Sequence, residues 1–179
     1  AKAARPHIPL NANDAQSITT ICQRLDGLPL AIELAAAYTK VLSPQTILAQ
    51  LDSMWLEMKR SLRNVPARQQ TLRNTIEWSY RLLTATEQPL FAQLAVFRGG
   101  CTWDAILAIC LPQSSPNATL ALLEALNGLV SKSLVWQRTD QQGESRFGML
   151  ETIREFALRC LQESGQEAQT QRRHTLHYL

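Results

Sequence analysis

Residues 133 to 148 read SLVWQRTDQQGESRFG, and the fold class turns on them. In SLVWQR (133 to 138) and SRFG (145 to 148) the apolar period drops toward two. Between them TDQQGE is polar and carries one glycine, the signature of a β-hairpin. Everything around this stretch has the period of a helix, so its setting decides what the hairpin belongs to.

Upstream, ATLALLEALNGLVSK predicts a helix over about 118–131, with Leu120, Leu123, Leu126, Asn127 and Val130 in its pattern. Pro112 to Asn117 reads as a loop. Thr102 or Asp104 opens a short helix that ends at Cys110, after a break at Gly99-Gly100. Before that break lies a helix with Leu90, Phe91, Leu94 and Ala95. Thr84 and Glu87 stand at capping-box spacing at its start. A further stripe of Leu72, Ile76, Tyr80 and Leu83 begins near Gln69, with Thr75 and Trp78 nearby. Downstream, a strong helix starts at Met149. Its apolar side is Met149, Ile153, Phe156, Ala157, Cys160 and Leu161, and its wet side is Glu151, Arg154, Glu155 and Arg159, with Glu155–Arg159 an i,i+4 pair. Gly165 breaks it, and another helix begins near Glu167. Three or four helices followed by a hairpin is the layout of a winged helix.

The front of the chain is different. Residues 1 to 12 hold two prolines and no period, an extended lead-in. Asn13 or Asp14 starts a helix to about residue 25, with Ile18, Ile21, Cys22 and Leu25 on one face. Asp26-Gly27 ends it, with Gly27 suited to a left-handed C-terminal cap. Pro29 fits the first turn of the next helix, which runs to about Lys40 and is apolar nearly all round. Glu33 is the one acid in that run, and if buried it needs a partner. Ser43-Pro44 opens a short helix over 44–51. Residues 52 to 68 are more charged and read as a hinge or linker ending near Pro66. The expected organisation is mostly α: lead-in 1–12, a small helical bundle 13–65, a winged-helix domain with one β-hairpin 66–163, and the start of a further helical segment 164–179.

Composition removes several function classes. With 45% apolar and 18% charged residues the chain is globular in balance, and a net charge of +3 is mild for a nucleic-acid binder. No stretch has the roughly 18 to 20 apolar residues of a membrane span. The cysteines at 22, 101, 110 and 160 fit no zinc spacing and read as buried free thiols of a cytoplasmic protein. His174 and His177 form HxxH without a third ligand nearby, so no metal is expected. There is no GxxxxGK[ST], GxGxxG or GxSxG, and the chain is not expected to be an enzyme. A groove-reading helix needs Arg, Lys, Asn or Gln on its exposed face. Residues 118 to 132 offer Glu124, Asn127 and Lys132, while the wing sets Arg138 and Arg146 against Asp140 and Glu144.

GLPLAIELAAA (27–37), RQQTLRNTIEWSYRLLTATEQPLFAQLAVFRGGCTWDAILAIC (68–110) and MLETIREFALRCL (149–161) closely resemble bacterial signal-transduction ATPases with numerous domains. These are the NB-ARC-like NTPases of LuxR-type and antibiotic-regulatory-type transcriptional regulators. The resemblance implies a fragment of a longer regulator, with a nucleotide-binding domain upstream and ADP or ATP with magnesium bound in the whole parent. It implies that Gly27, Leu28 and Pro29 form one wall of the nucleotide site, with the proline against the base. The plain alternative is that they are only a helix–helix turn. The family's Met-His-Asp motif falls on Met149, Leu150 and Glu151. Leu150 has no donor for a phosphate, which leaves Arg146 and Arg154 as substitutes in a phosphate-side sensor region. The implied function is an ADP/ATP switch controlling transcription, with the winged helix as a packing and regulatory module, self-assembly on ATP binding, and DNA reached through another domain. The alternatives are a DNA-binding winged helix of a transcription factor and a helical interaction scaffold.

Overall fold

The computed structural model describes residues 12–58, 67–111 and 115–179. Residues 1–11 of the expected lead-in lie outside these residues, as does the part of the expected linker from 59 to 66, and Ala12 already belongs to the first helix. The chain divides by its packing after Leu82 into two units.

The first unit holds α1 (Ala12–Arg24), α2 (Pro29–Ala37), α3 (Pro44–Met58) and α4 (Ala67–Arg81). Asp26 and Gly27 both take left-handed backbone, φ 52° and 66°, and Gly27 N–H donates to Cys22 O at 3.0 Å. That closes α1 and lets Pro29 begin α2 directly. On α2 the buried residues are Ala31, Leu34 and Ala35. Ala31 and Ala35 share one core cluster with Ile21 of α1, Leu25 just past it, Ile47 and Leu51 of α3, and Trp78 of α4. Tyr38, just past α2, stands 4.8 Å from the Trp78 ring and donates its hydroxyl to Ser79 O at 2.9 Å. One expectation is corrected here and one condition is resolved. Residues 52 to 58 and 67 to 68 are not linker, because α3 runs on to Met58 and α4 starts at Ala67. Glu33 is exposed, because helical spacing turns it away from Ala31, Leu34 and Ala35.

The second unit holds α5 (Glu87–Gln93), β1 (Cys101–Thr102), α6 (Trp103–Cys110), α7 (Pro116–Ser131), β2 (Trp136–Thr139), β3 (Ser145–Gly148), α8 (Glu151–Glu163) and α9 (Glu167–Tyr178). The capping box forms as spaced: Thr84 N–H donates to Glu87 Oε2 at 2.7 Å, and Glu87 N–H donates to Thr84 Oγ1 at 3.2 Å. Thr102 caps α6 through Ala105 N–H, and Ser115 caps α7 through Ala118 N–H ahead of Pro116. The hairpin is joined by β1, giving an antiparallel sheet of order β1-β3-β2. Its core is closed by Phe91, Ile106, Ile109, Leu126, Leu129 and Ile153, all essentially inaccessible.

Arg154 is not on a wet side. It is 8% exposed, and its guanidinium donates to Ala95 O at 3.1 Å and twice to Glu151, at 2.9 and 2.6 Å. Arg159 lies 5.6 Å from the Phe156 ring centroid. The segment after Gly165 is α9, which packs on α6 and donates from Arg173 to Ile109 O at 2.7 Å. The described residues are thus mostly helical, with one small sheet in the second unit.

Candidate nucleic-acid interface

The helices α5, α6 and α7 lead into the β2–β3 wing, so α7 stands where a recognition helix stands. Its buried side is Ala125, Leu126 and Leu129. Its open side carries Leu120 and Leu123, 56% and 48% exposed, with Glu124 and Asn127. Lys132 at its end is committed. Its ammonium is paired with the buried carboxylate of Glu87, and Gly128 leaves the space that this carboxylate fills. Burial pushes the Glu87 pKa up, but the Lys132 pairing and the Thr84 N–H outweigh it and hold it below 4.5. The open face of α7 therefore presents no cation.

The wing differs. Trp136 pairs with Gly148, and Arg138 with Arg146, so these residues share one face of the sheet. The Trp136 ring lies against Gly100 and Gly148. A Cβ at Gly148 would overlap Trp136 Cζ2 and stand 2.7 Å from Cε2. Arg138 sits 5.0 Å from the Trp136 centroid, and Arg146 donates to Gly100 O at 3.3 Å. Two arginines directly opposite each other repel, and neither takes part in a salt bridge among the described residues. The turn is built by Asp140, whose Oδ1 accepts from Gln142 and Glu144 N–H at 2.9 Å each, with Gly143 at φ 84°. Phe147, Cys101 and Gln137 take the opposite face.

The remaining expected site residues fall in separate places. Gly27 and Pro29 are exposed and Leu28 is half-buried at the start of α2. Leu28 holds the N-cap position there without a capping oxygen. Leu150 is 46% exposed and likewise caps α8 without a side-chain bond, with Met149 half-buried before it. Glu151 is drawn to Arg154, whose hydrogen bond pulls the carboxyl pKa down. His174 packs between Phe97 and Tyr178, at 5.4 and 4.9 Å, and burial followed by the His177 charge lowers its pKa. No group of three or more His, Cys, Asp or Glu among the described residues is arranged to hold a metal ion. No helix among the described residues is long and apolar enough to cross a membrane.

Helices, wing and three-stranded sheet together define a winged helix. The chain belongs to the winged helix-turn-helix domain family, whose sequence model matches residues 71–162. It is 42% identical, over 99% of its length, to proteins of Mycobacterium tuberculosis and Mycobacterium bovis provisionally named HTH-type transcriptional regulators. It spans 20% of the length of those relatives. It is also 37% identical over 166 residues to an uncharacterized Mycobacterium tuberculosis protein, spanning 42% of that one.

Proposed function

We propose that this chain is the winged helix-turn-helix part of a transcriptional regulator and that it grips duplex DNA through the wing. The observation that carries this is the unneutralised cross-strand pair Arg138–Arg146 beside Trp136. A sheet that keeps two like charges face to face loses stability unless an anion relieves them. Phosphates are such anions, and phosphate contacts position a protein without reading sequence. The names of the mycobacterial relatives point the same way. With no cation on the open face of α7, base-specific reading by this chain is weak.

The test is fluorescence anisotropy against random duplex DNA from low to physiological salt. Two phosphate contacts give a slope of log K against log salt near about −2. Binding that is lost in Arg138→Glu/Arg146→Glu supports the reading. No binding at low salt, or binding indifferent to the double variant, overturns it.

A second reading keeps the wing but makes the chain a piece of an ADP/ATP switch. The Gly27-Leu28-Pro29 turn, exposed at Gly27 and Pro29, favours it, since glycine permits close approach and proline offers a rigid apolar surface to a base. In that reading an upstream nucleotide-binding domain of the same polypeptide holds ADP or ATP with magnesium, ATP drives self-assembly, and another domain reads DNA. In a longer chain carrying that domain, Pro29→Ala then weakens ADP binding; unchanged affinity removes the reading.

A further inference from the structure

We propose that the open face of α7 is a docking site for a basic amphipathic helix from outside this chain. Leu120 and Leu123 are the large apolar side chains most exposed on any helix of this unit before α9, leaving aside Leu150 at the start of α8. Beside them lies a groove of about 370 Å³ between α7 and the inner face of the wing. Leu123, Val130 and Phe147 line its apolar part, and Glu124, Asn127 and Gln137 its polar part. A groove of that size admits a few side chains, which is how a helix with apolar anchors at i, i+3, i+4 and i+7 binds.

Charge selects the occupant. Among the described residues the only charged side chain lining the groove is Glu124, and Lys132 is taken up by Glu87. Phosphate is repelled there. A lysine or arginine beside the apolar anchors pairs with Glu124, while Asn127 and Gln137 serve neighbouring polar groups. A second copy is not favoured by charge, because its α7 brings another Glu124 and no lysine or arginine to pair with the first. The relatives supply room for such a partner, since the chain spans only 20% of their length. This surface is separate from the arginine pair, so it stands whether or not the wing binds DNA.

The experiment uses the 179-residue chain and two synthetic helical peptides of about 18 residues. Both carry leucines at i, i+3, i+4 and i+7; one has lysines flanking the stripe and its twin has glutamates. Amide shifts are followed by NMR. The lysine peptide is expected to shift residues along α7 with Gln137 and Phe147, and to bind about tenfold more tightly than its twin. Leu120→Ser/Leu123→Ser, exposed positions that leave the core intact, should weaken it by about tenfold. Glu124→Lys should reverse the preference between the twins. Shifts elsewhere, equal binding of both twins, no binding of either, or concentration-dependent self-association through α7 each overturns the proposal. Duplex DNA that shifts the α7 amides gives the face to nucleic acid and overturns it equally.

Discussion

Gly128→Ala probes the buried ion pair between Glu87 at the start of α5 and Lys132 at the end of α7. Gly128 lies inside α7, where alanine is ordinarily the better residue by about 1 kcal/mol. Here an alanine Cβ would overlap Glu87 Oε1 and stand 3.1 Å from Glu87 Cδ. The carboxylate cannot simply swing into water. It is 5% exposed, paired with Lys132 on one oxygen and bonded to Thr84 N–H on the other. To make room it must give up at least the Lys132 contact. Breaking a buried pair costs about 3 to 5 kcal/mol, and part of Lys132 can return to solvent. Set against the helix gain, the net expectation is a loss of about 2 kcal/mol. Urea unfolding at pH 7 reads this as a lower midpoint at unchanged slope. A pH series adds a second signature. The folded pKa of Glu87 lies below its ordinary 4.5. Its contribution is therefore full above that value and drains away as pH falls through the folded value. The variant should show a shallower acid limb. If Gly128→Ala raises stability by the bare helix increment and leaves the acid limb unchanged, the carboxylate is not held as described.

Other outcomes follow from single contacts. Tyr38→Phe removes the hydroxyl bond to Ser79 O and should cost about 1 kcal/mol by thermal or urea unfolding. Arg154→Met leaves Ala95 O without its guanidinium donor and should cost about 2 kcal/mol, with unfolding monitored by circular dichroism. Burial pushes the thiols of Cys101 and Cys110 up to about 12. Both should resist a disulfide reagent at pH 8 until denaturant is added, read by mass spectrometry of the modified peptides. Gly148→Ala must displace the Trp136 ring and should change the tryptophan near-ultraviolet circular dichroism; an unaltered spectrum argues that the ring does not lie against the glycine.

The parts of this fold that were legible in sequence are those fixed by near neighbours. The Thr84–Glu87 box, the Gly27 cap, Pro29 at the head of α2 and the hairpin each need only a few consecutive residues. Strand β1 was missed because two residues have no period, and it exists only through pairing with Phe147 and Arg146. Arg154 was placed on the wet side because it is charged; its burial depends on Ala95 O, distant in sequence. Whether Glu33 is buried was not legible among its apolar neighbours, since only helical geometry shows that this position turns outward. Arg138 and Arg146 could be named from sequence, but their direct opposition depends on hairpin register. The groove beside α7 needs helix and sheet together, and no local pattern announces it.

The helix α4 shows that a unit of inheritance and a unit of folding need not share an edge. The family's sequence model opens at Thr71, inside α4, whereas α4 packs on α2 and α3 and buries Trp78 beside Tyr38. Thr71 itself donates to Asp26 Oδ2 at 2.7 Å. A gene fusion cut at the family edge would carry off Ile76 and Trp78 and strip the preceding bundle of its fourth helix. Recombination that preserves both units is therefore expected to spare the joint at residue 71 and to cut after Leu82, where the packing divides.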